Sequence, residues 1–217
     1  MSDIILIGLG RQTKSIISAG RLAGLRVRAI YDNNTAQWGQ LVAGVPVVGS
    51  LALASSSRLP AVLGFDEPRL RKDSAQRLDV RWISVIHPRA FLDPSAKVGA
   101  GTIVFEGVVA QADVDLRQHV VVSANVTISH DSVVEDFAQL SPGVVLAGTV
   151  RIGQGARLEP GALVIPNIHV GAWATVGPRA VVIRDVPENA HVEGMPAIRV
   201  EEAGSVAGCP LSPEPAR

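Results

Sequence analysis

The sequence predicts a small α/β domain followed by a long parallel β-helix, and three observations carry that reading. First, every sixth residue from Val98 to Val182 is aliphatic: Val98, Val104, Ala110, Leu116, Val122, Ile128, Val134, Leu140, Leu146, Ile152, Leu158, Val164, Val170, Val176 and Val182. Second, a companion register four residues further on is small or β-branched: Thr102, Val108, Val114, Val120, Val126, Ser132, Ala138, Val144, Val150, Ala156 and Ala162. Third, the stretch before this array breaks into short apolar runs separated by glycine turns and helically spaced segments. A period of six fits neither a 3.6-residue helix nor a 3.5-residue coiled coil. It is a multiple of the strand period of two, so the same face returns in each unit.

The array follows from strand geometry. Each hexad supplies a short strand and a turn, and three hexads close a triangular coil. Stacked coils pair at roughly 4.8 Å per layer. The aliphatic residue of each hexad points inward onto its counterpart one coil on, so Val98, Leu116, Val134, Ile152 and Val170 form one column. Gly99, Gly101, Gly143, Gly153, Gly155, Gly161, Gly171 and Gly177 are assigned to sharp corners, where a positive φ or a missing Cβ is useful.

The chain before the array reads in order as follows. Ile4–Ile7 is a buried strand ending in the turn Gly8-Leu9-Gly10. Thr13–Ala23 has helical spacing, and Val27–Tyr31 is a second strand ending at Asp32-Asn33-Asn34. This βαβ opening resembles half a Rossmann unit, whose turn and helix N-terminus can hold a phosphate and whose acid can reach a ribose hydroxyl; Gly8-x-Gly10 lacks the third glycine, and a tight strand-to-helix turn with no ligand is the alternative. Val45–Val48 and Ala61–Phe65 are further strands. Pro68–Leu78, rich in arginine and lysine, is a surface helix with Leu70 and Leu78 inward. Trp82–Ile86 is a last strand, and His87-Pro88 marks the junction, because proline forces the residue before it into extended geometry. The expected division is an α/β nucleotide-binding domain over 1–84, a β-helix over 85–198 and a tail over 199–217 without apolar period, poorly ordered or draped on a neighbour.

Composition narrows the function classes. The chain of 217 residues is 47% hydrophobic but only 4% aromatic, as a core of Val, Leu, Ile and Ala requires. Twenty basic and 20 acidic residues leave no net charge, so no global field attracts nucleic acid or an anionic membrane. The lone Cys209 cannot form an intramolecular disulfide, which points to a reducing, cytoplasmic compartment. The opening apolar run is too short for a signal peptide, and no stretch is long enough to span a bilayer. His87, His119, His169 and His191 are scattered at spacings unlike a three-histidine metal site, so no metal is expected.

His130-Asp131 is the pair with chemistry in it. A histidine beside a carboxylate can take a proton near neutral pH. Gly148 lies one coil on at the same corner. The motifs Gly8-x-Gly10, Asp32-Asn33, Gly44-Val45-Pro46-Val47-Val48-Gly49, Ile86-His87-Pro88, Ser129-His130-Asp131, Ser141-Pro142-Gly143, Leu146-Ala147-Gly148, Asp185-Val186-Pro187 and Gly194-Met195-Pro196-Ala197 together resemble the hexapeptide-repeat (left-handed β-helix) acyltransferases. Within them the chain is similar to the two-domain sugar acetyltransferases of the PglD and NeuD type, over about residues 3–198.

That resemblance implies a homotrimer with active sites between adjacent β-helices, and transfer of acetyl from acetyl-CoA to an amine on a nucleotide-linked sugar, for surface polysaccharide or a glycosylated product. It implies His130 as general base, Asp131 as the acid that orients it and Gly148 as the backbone donor to the thioester oxygen. Gly148, Gly177 and Ala180 are expected on the CoA. Gly8, Gly10, Arg11, Asp32, Asn33, Ser123 and Gln139 are expected on the acceptor. Three positions depart from the family pattern: Arg11-Gln12-Thr13 replaces Gly-His-Gly, Gln139 replaces a histidine and Ser123 an asparagine. The expected consequence is an acceptor other than the usual UDP-amino sugar. A hydroxyl or amino-acid acceptor, another acyl-CoA donor, and a non-catalytic nucleotide-binding trimer are the alternatives.

Overall fold

In a computed structural model describing residues 1–200, the chain opens with β1 (Ser2–Ile7), α1 (Thr13–Leu22), β2 (Leu25–Tyr31), β3 (Leu41–Val42), β4 (Val45–Gly49), β5 (Ala61–Leu63) and α2 (Pro68–Arg77). The expected tail and Cys209 lie largely outside these residues. The strands form one sheet in the order β3-β4-β2-β1-β5, parallel except for the β3–β4 hairpin. Ile4, Ile5, Leu6 and Ile7 are all buried because β1 is central and covered on both faces.

From Val85 onward the chain is a left-handed parallel β-helix built from two-residue rungs. The first face stacks Val85–Ile86, Ile103–Val104, Val121–Val122, Gln139–Leu140, Arg157–Leu158 and Thr175–Val176. The second stacks Phe91–Leu92, Val109–Ala110, Thr127–Ile128, Val145–Leu146, Leu163–Val164 and Val181–Val182. The third stacks Lys97–Val98, Asp115–Leu116, Val133–Val134, Arg151–Ile152 and His169–Val170. The expected column from Val98 to Val170 is therefore present, and Val98, the member nearest the open end, is its least covered residue. The small register also points inward, and its polar members are satisfied there. Thr102 Oγ1 donates to Arg117 O (2.7 Å) and accepts from Val120 N; Ser132 Oγ does the same with Ala147 O and Val150 N.

The corners share one backbone device. Positions 101, 107, 113 and every sixth residue to 179 all have positive φ. Five of these fourteen residues are glycine and four are Asp or Asn; the others are His119, Phe137, Thr149, Trp173 and Arg179. A non-glycine residue in this region costs about 1–2 kcal/mol. Each coil offsets that by burying aliphatic side chains at about 1.5–3 kcal/mol apiece. Gly99, Gly153, Gly171 and Gly177 do not have the positive φ of the corner glycines. At Gly153 the constraint is close approach: a Cβ there would lie 2.5 Å from the Ala172 nitrogen of the next coil.

The small domain sits on the first face. Ile16 and Ile17 of α1 pack in one core with Val85, Ile103, Phe105 and Val121. Val85–Ile86, expected as part of a last α/β strand, is the first rung of the β-helix, while Trp82 makes only a single bridge to Ala61. Helix α2 also departs from expectation. Leu78 packs inward, but Leu70 is 51% exposed and Arg71 is 1% exposed. The Arg71 guanidinium donates to Phe65 O (3.2 Å), Asp66 O (2.9 Å), Phe137 O (2.6 Å) and Gln139 Oε1 (3.1 Å). Carbonyls from both domains converge on one spot and need a donor there, which rotates the helix so that Arg71 faces in. Burial pushes its pKa down to about 10, so it remains charged at neutral pH.

His119 fills the corner beside this junction. Its ring stacks on Phe137 at 5.1 Å and meets the edge of Trp82 at 4.9 Å. Burial, and then the positive charge of Arg71, lower its pKa from 6.5 to about 4. The unfolded chain therefore binds a proton between pH 6.5 and 4 that the folded chain does not, and stability falls as pH falls through that window. The His119→Asn variant keeps a residue that tolerates positive φ and removes the titration. Its urea midpoint should lose less on acidification from pH 6.5 to 4 than that of the parent; equal slopes would show that His119 is not the titrating group.

Candidate active site

The corner between the second and third faces carries the reactive pair. His130 and Asp131 follow the rung Thr127–Ile128, and Asp131 takes the corner's positive φ of 58°, a conformation that Asp accepts more readily than most residues. That turn brings the neighbouring side chains together. His130 Nδ1 lies 2.7 Å from Asp131 Oδ2, and both side chains are more than half exposed. An ionised carboxylate only accepts, so Nδ1 carries the hydrogen and Nε2 is left as the free acceptor. The His130 N–H donates to Gln111 Oε1 (3.2 Å), which steadies the backbone from the coil before. Gln111 is a residue that pattern reading passed over, because it lies at a corner position with no apolar period.

Gly148 stands one coil further along the same corner. Thr149 N donates to His130 O (2.9 Å), so the two corners are in register. A Cβ on Gly148 would lie 2.7 Å from His130 Nε2 and 2.8 Å from Cε1. The imidazole therefore rests in the space that the missing side chain leaves. No backbone carbonyl takes the Gly148 N–H among the described residues. The corner thus combines a proton acceptor, the carboxylate that fixes its tautomer and a backbone donor beside them. That is the equipment for general-base attack on a carbonyl whose oxygen becomes negative.

The other expected site residues are not brought to this corner within one chain. Gly177 and Ala180 belong to the corner between the first and second faces. Ala180 is fully buried in the core, its N–H donating to Gly177 O and its carbonyl accepting from Leu163 N. Ala180 packs into the solenoid core. Gly177 lies beneath the Glu193 side chain. Gln139 and Ser123, expected on the acceptor, are covered by the small domain. Gln139 is 8% exposed and accepts from Arg71; Ser123 is 2% exposed and accepts from Gln12 Nε2 at 3.3 Å. Both are domain-junction residues, because the first face on which they lie is the one the small domain occupies.

The glycine turn is tied down by side chains of its own domain. Leu9 N–H donates to Asp32 Oδ2 (2.7 Å), Gly10 N–H to Thr13 Oγ1 (2.9 Å) and Arg11 N–H to Asp66 Oδ2 (2.6 Å). The Phe65 ring fills the space beside Gly8, within 2.4 Å of where a Cβ would sit. The amides expected to cradle a phosphate are thus satisfied internally, two of them by carboxylates. Arg11 itself is exposed and lies 3.5 Å from Asp66. Asp66 is a residue that pattern reading passed over, because it reaches the turn from 55 positions away. Asp32 also accepts from Asn34 N, and Asn33 Oδ1 accepts from Leu51 N (3.1 Å). Among the described residues no group of three or more His, Cys, Asp or Glu side chains could hold a metal ion.

No protein-family model matches the chain. Solved structures do. A histidine mutant of perosamine N-acetyltransferase from Caulobacter crescentus, in complex with CoA and GDP-perosamine, superposes with a TM-score of 0.88 at 30% identity, covering 93% of this chain and 98% of that one. The acetyltransferase domain of PglB from Neisseria gonorrhoeae, in complex with acetyl coenzyme A, gives 0.86 at 30% identity over 91% and 98%. WeeI from Acinetobacter baumannii shares the fold, with a TM-score of 0.82 at 19% identity over 92% and 100%.

The Gly148→Ala variant tests the corner directly. The added methyl collides with the imidazole while the backbone needs no unusual φ. We expect His130 to swing off Asp131, visible in a crystal structure or as loss of the low-field Nδ1–H proton resonance, with the melting temperature within a few degrees of the parent. An imidazole that stays paired with Asp131 would contradict this geometry.

Proposed function

The chain belongs to the hexapeptide-repeat sugar acetyltransferases, and we propose that it transfers an acetyl group from acetyl-CoA to the amino group of a nucleotide-linked amino sugar. It is an acyltransferase, and acetyl-CoA is its co-substrate. The observation that carries the reading is the His130–Asp131 pair seated over Gly148 in a chain 30% identical, over nearly its whole length, to a perosamine N-acetyltransferase bound to CoA and GDP-perosamine.

In this reading His130 Nε2 takes a proton from the sugar amine as its nitrogen attacks the thioester carbonyl. A C–N bond forms and the carbonyl oxygen becomes an oxyanion, which the Gly148 N–H stabilises. The tetrahedral intermediate then collapses, the C–S bond breaks, and the CoA thiolate recovers the proton from the imidazolium. Asp131 holds Nδ1–H throughout and stabilises the charged ring. Residues 1–84 hold the nucleotide and residues 85–198 carry out the transfer.

The site also needs a neighbour. His130 occupies the corner between the second and third faces, and the small domain covers the first face, opposite that corner. In one chain the acceptor domain and the base look in different directions. The second face supplies the means of association: Phe91, Val109, Val145, Leu163 and Val181 form an outward apolar row with only Thr127 interrupting it, and Phe91 is 57% exposed. A homotrimer that buries this row next to the His130 corner brings a second chain to the base. Among the described residues no helix is long and apolar enough to cross a membrane. The acetyl-CoA supply of the cell interior supports a cytoplasmic location.

Replacing His130 by Ala should lower turnover by about 10²–10⁴-fold, the usual contribution of a general base, with CoA binding and assembly unchanged. Near-parental rates would remove His130 from the chemistry. Placing a charge in the apolar row with Val145→Lys should convert the trimer to monomer in light scattering and abolish activity together with it. A monomeric parent, or an active monomeric variant, would refute the shared site.

A further inference from the structure

A nucleotide has to be anchored somewhere other than the glycine turn. The three turn amides already have acceptors, and a diphosphate brought there would face the carboxylates of Asp32 and Asp66 at close range. On the far side of Phe65 the molecule has room. A cavity of about 660 Å³ opens at the carboxyl ends of β2 and β5, between the turn of 3₁₀ helix Leu51–Ser57 and α2. Its size is that of a small-molecule site, and its position beyond the strand ends is where open α/β sheets bind ligands.

The lining has two kinds of surface. Leu51, Phe65 and Leu70 provide apolar walls. Leu70 is a leucine that the helix turns away from the core and toward this space, as suits a planar ring. On the α2 side stand Asp73 and Arg77, one helical turn apart, with Arg77 Nη2 at 3.1 Å from Asp73 Oδ2. A carboxylate and a guanidinium are thus presented side by side. Guanine alone among the common bases offers two adjacent N–H donors, at N1 and N2, followed along its rim by the acceptors O6 and N7. The carboxylate accepts from the first two and the guanidinium donates to the second two. Uracil and thymine have one ring N–H between two carbonyls, and adenine has one amino group, so each leaves a carboxylate oxygen of Asp73 without a donor. At the rim of the cavity, each oxygen of Asp32 accepts one backbone N–H and keeps a lone pair for a ribose hydroxyl.

We infer that this cavity is a guanine pocket in which Asp73 and Arg77 determine base specificity, so that the acceptor is a GDP-linked amino sugar. The inference rests on the nucleotide-sugar reading above and names the nucleotide. Calorimetric titration of the full chain with GDP, UDP and TDP tests it, with CoA titrated in parallel. GDP should bind at least tenfold more tightly than UDP or TDP. Asp73→Asn should weaken GDP at least tenfold and leave UDP and CoA unchanged, and Arg77→Gln should weaken GDP in the same direction; both residues are exposed, so melting temperatures should hold. UDP or TDP binding as tightly as GDP, or unchanged GDP affinity in Asp73→Asn, overturns the guanine assignment alone. Binding of CoA with none of the three nucleotides overturns the nucleotide-sugar reading as well.

Discussion

A backbone that turns left-handed at every sixth residue is the constraint on which this molecule rests. Fourteen consecutive corners from Gly101 to Arg179 hold positive φ, and the three faces stay flat and in register because no corner slips. Strained corners persist when the surrounding structure over-determines them. Here the over-determination comes from both inward registers, which place aliphatic and small residues on one another coil after coil. The same turn that makes the prism also sets the chemistry. Asp131 is a corner residue, and its left-handed backbone points its carboxylate back at His130. Gly148 is placed under the imidazole by the coil length, not by any local motif.

The junction between the two domains is of a different kind. It depends on one buried cation rather than on a repeated pattern. Arg71 meets no carboxylate within hydrogen-bond distance; instead it gathers carbonyls of the β5–α2 connection and of the Phe137–Gln139 corner. Removing one partner from such a group leaves an uncompensated buried charge, which is costly, so the contact fixes the angle between the domains more than it adds stability. Around it, Arg157 pairs with Glu67, Lys72 donates to Gln154, and Arg69 lies over the Trp173 ring at 4.5 Å. Helix α2 therefore hangs from the solenoid by its polar face, and its other face is free to line the cavity.

Periodic features were legible in the sequence and singular ones were not. The fifteen aliphatic positions, the columns they form and the stacking of His130 on Gly148 all follow from counting, because a repeat averages over local exceptions. The positive-φ corners were only half visible: glycines marked some, but His119, Phe137 and Trp173 adopt the same backbone with no residue-type signal. Leu70 and Arg71 reversed roles because hydropathy ranks leucine inside, whereas the unsatisfied carbonyls that recruit Arg71 come from residues 65–66 and 137–138, far apart in sequence. Gln139 and Ser123 were read as acceptor contacts from resemblance. Which face the small domain covers is a tertiary fact that no local pattern encodes. The glycine turn was read as an anion cradle for the same reason, since Asp66 reaches it from 55 residues away.

These placements bear on one another. Ser123 and Gln139 lie under the small domain and the turn amides are taken by Asp32, Thr13 and Asp66, so these departures from the family pattern all bear on how the domains are joined. An asparagine or histidine at those positions would have to be accommodated in the same buried junction, where Ser123 and Gln139 now accept from Gln12 and Arg71. The joint and the corner then answer to separate demands. In the function proposed above, the corner needs only the His130–Asp131 pair, Gly148 and an approaching neighbour, and the prism sets the first three in place whatever nucleotide is held. In the proposed reading the nucleotide is selected where α2 faces the cavity, on the helix surface opposite Arg71. On that reading one helix fixes the domain angle with one face and reads the base with the other, so base preference can change through Asp73 and Arg77 without disturbing either the joint or the His130 corner.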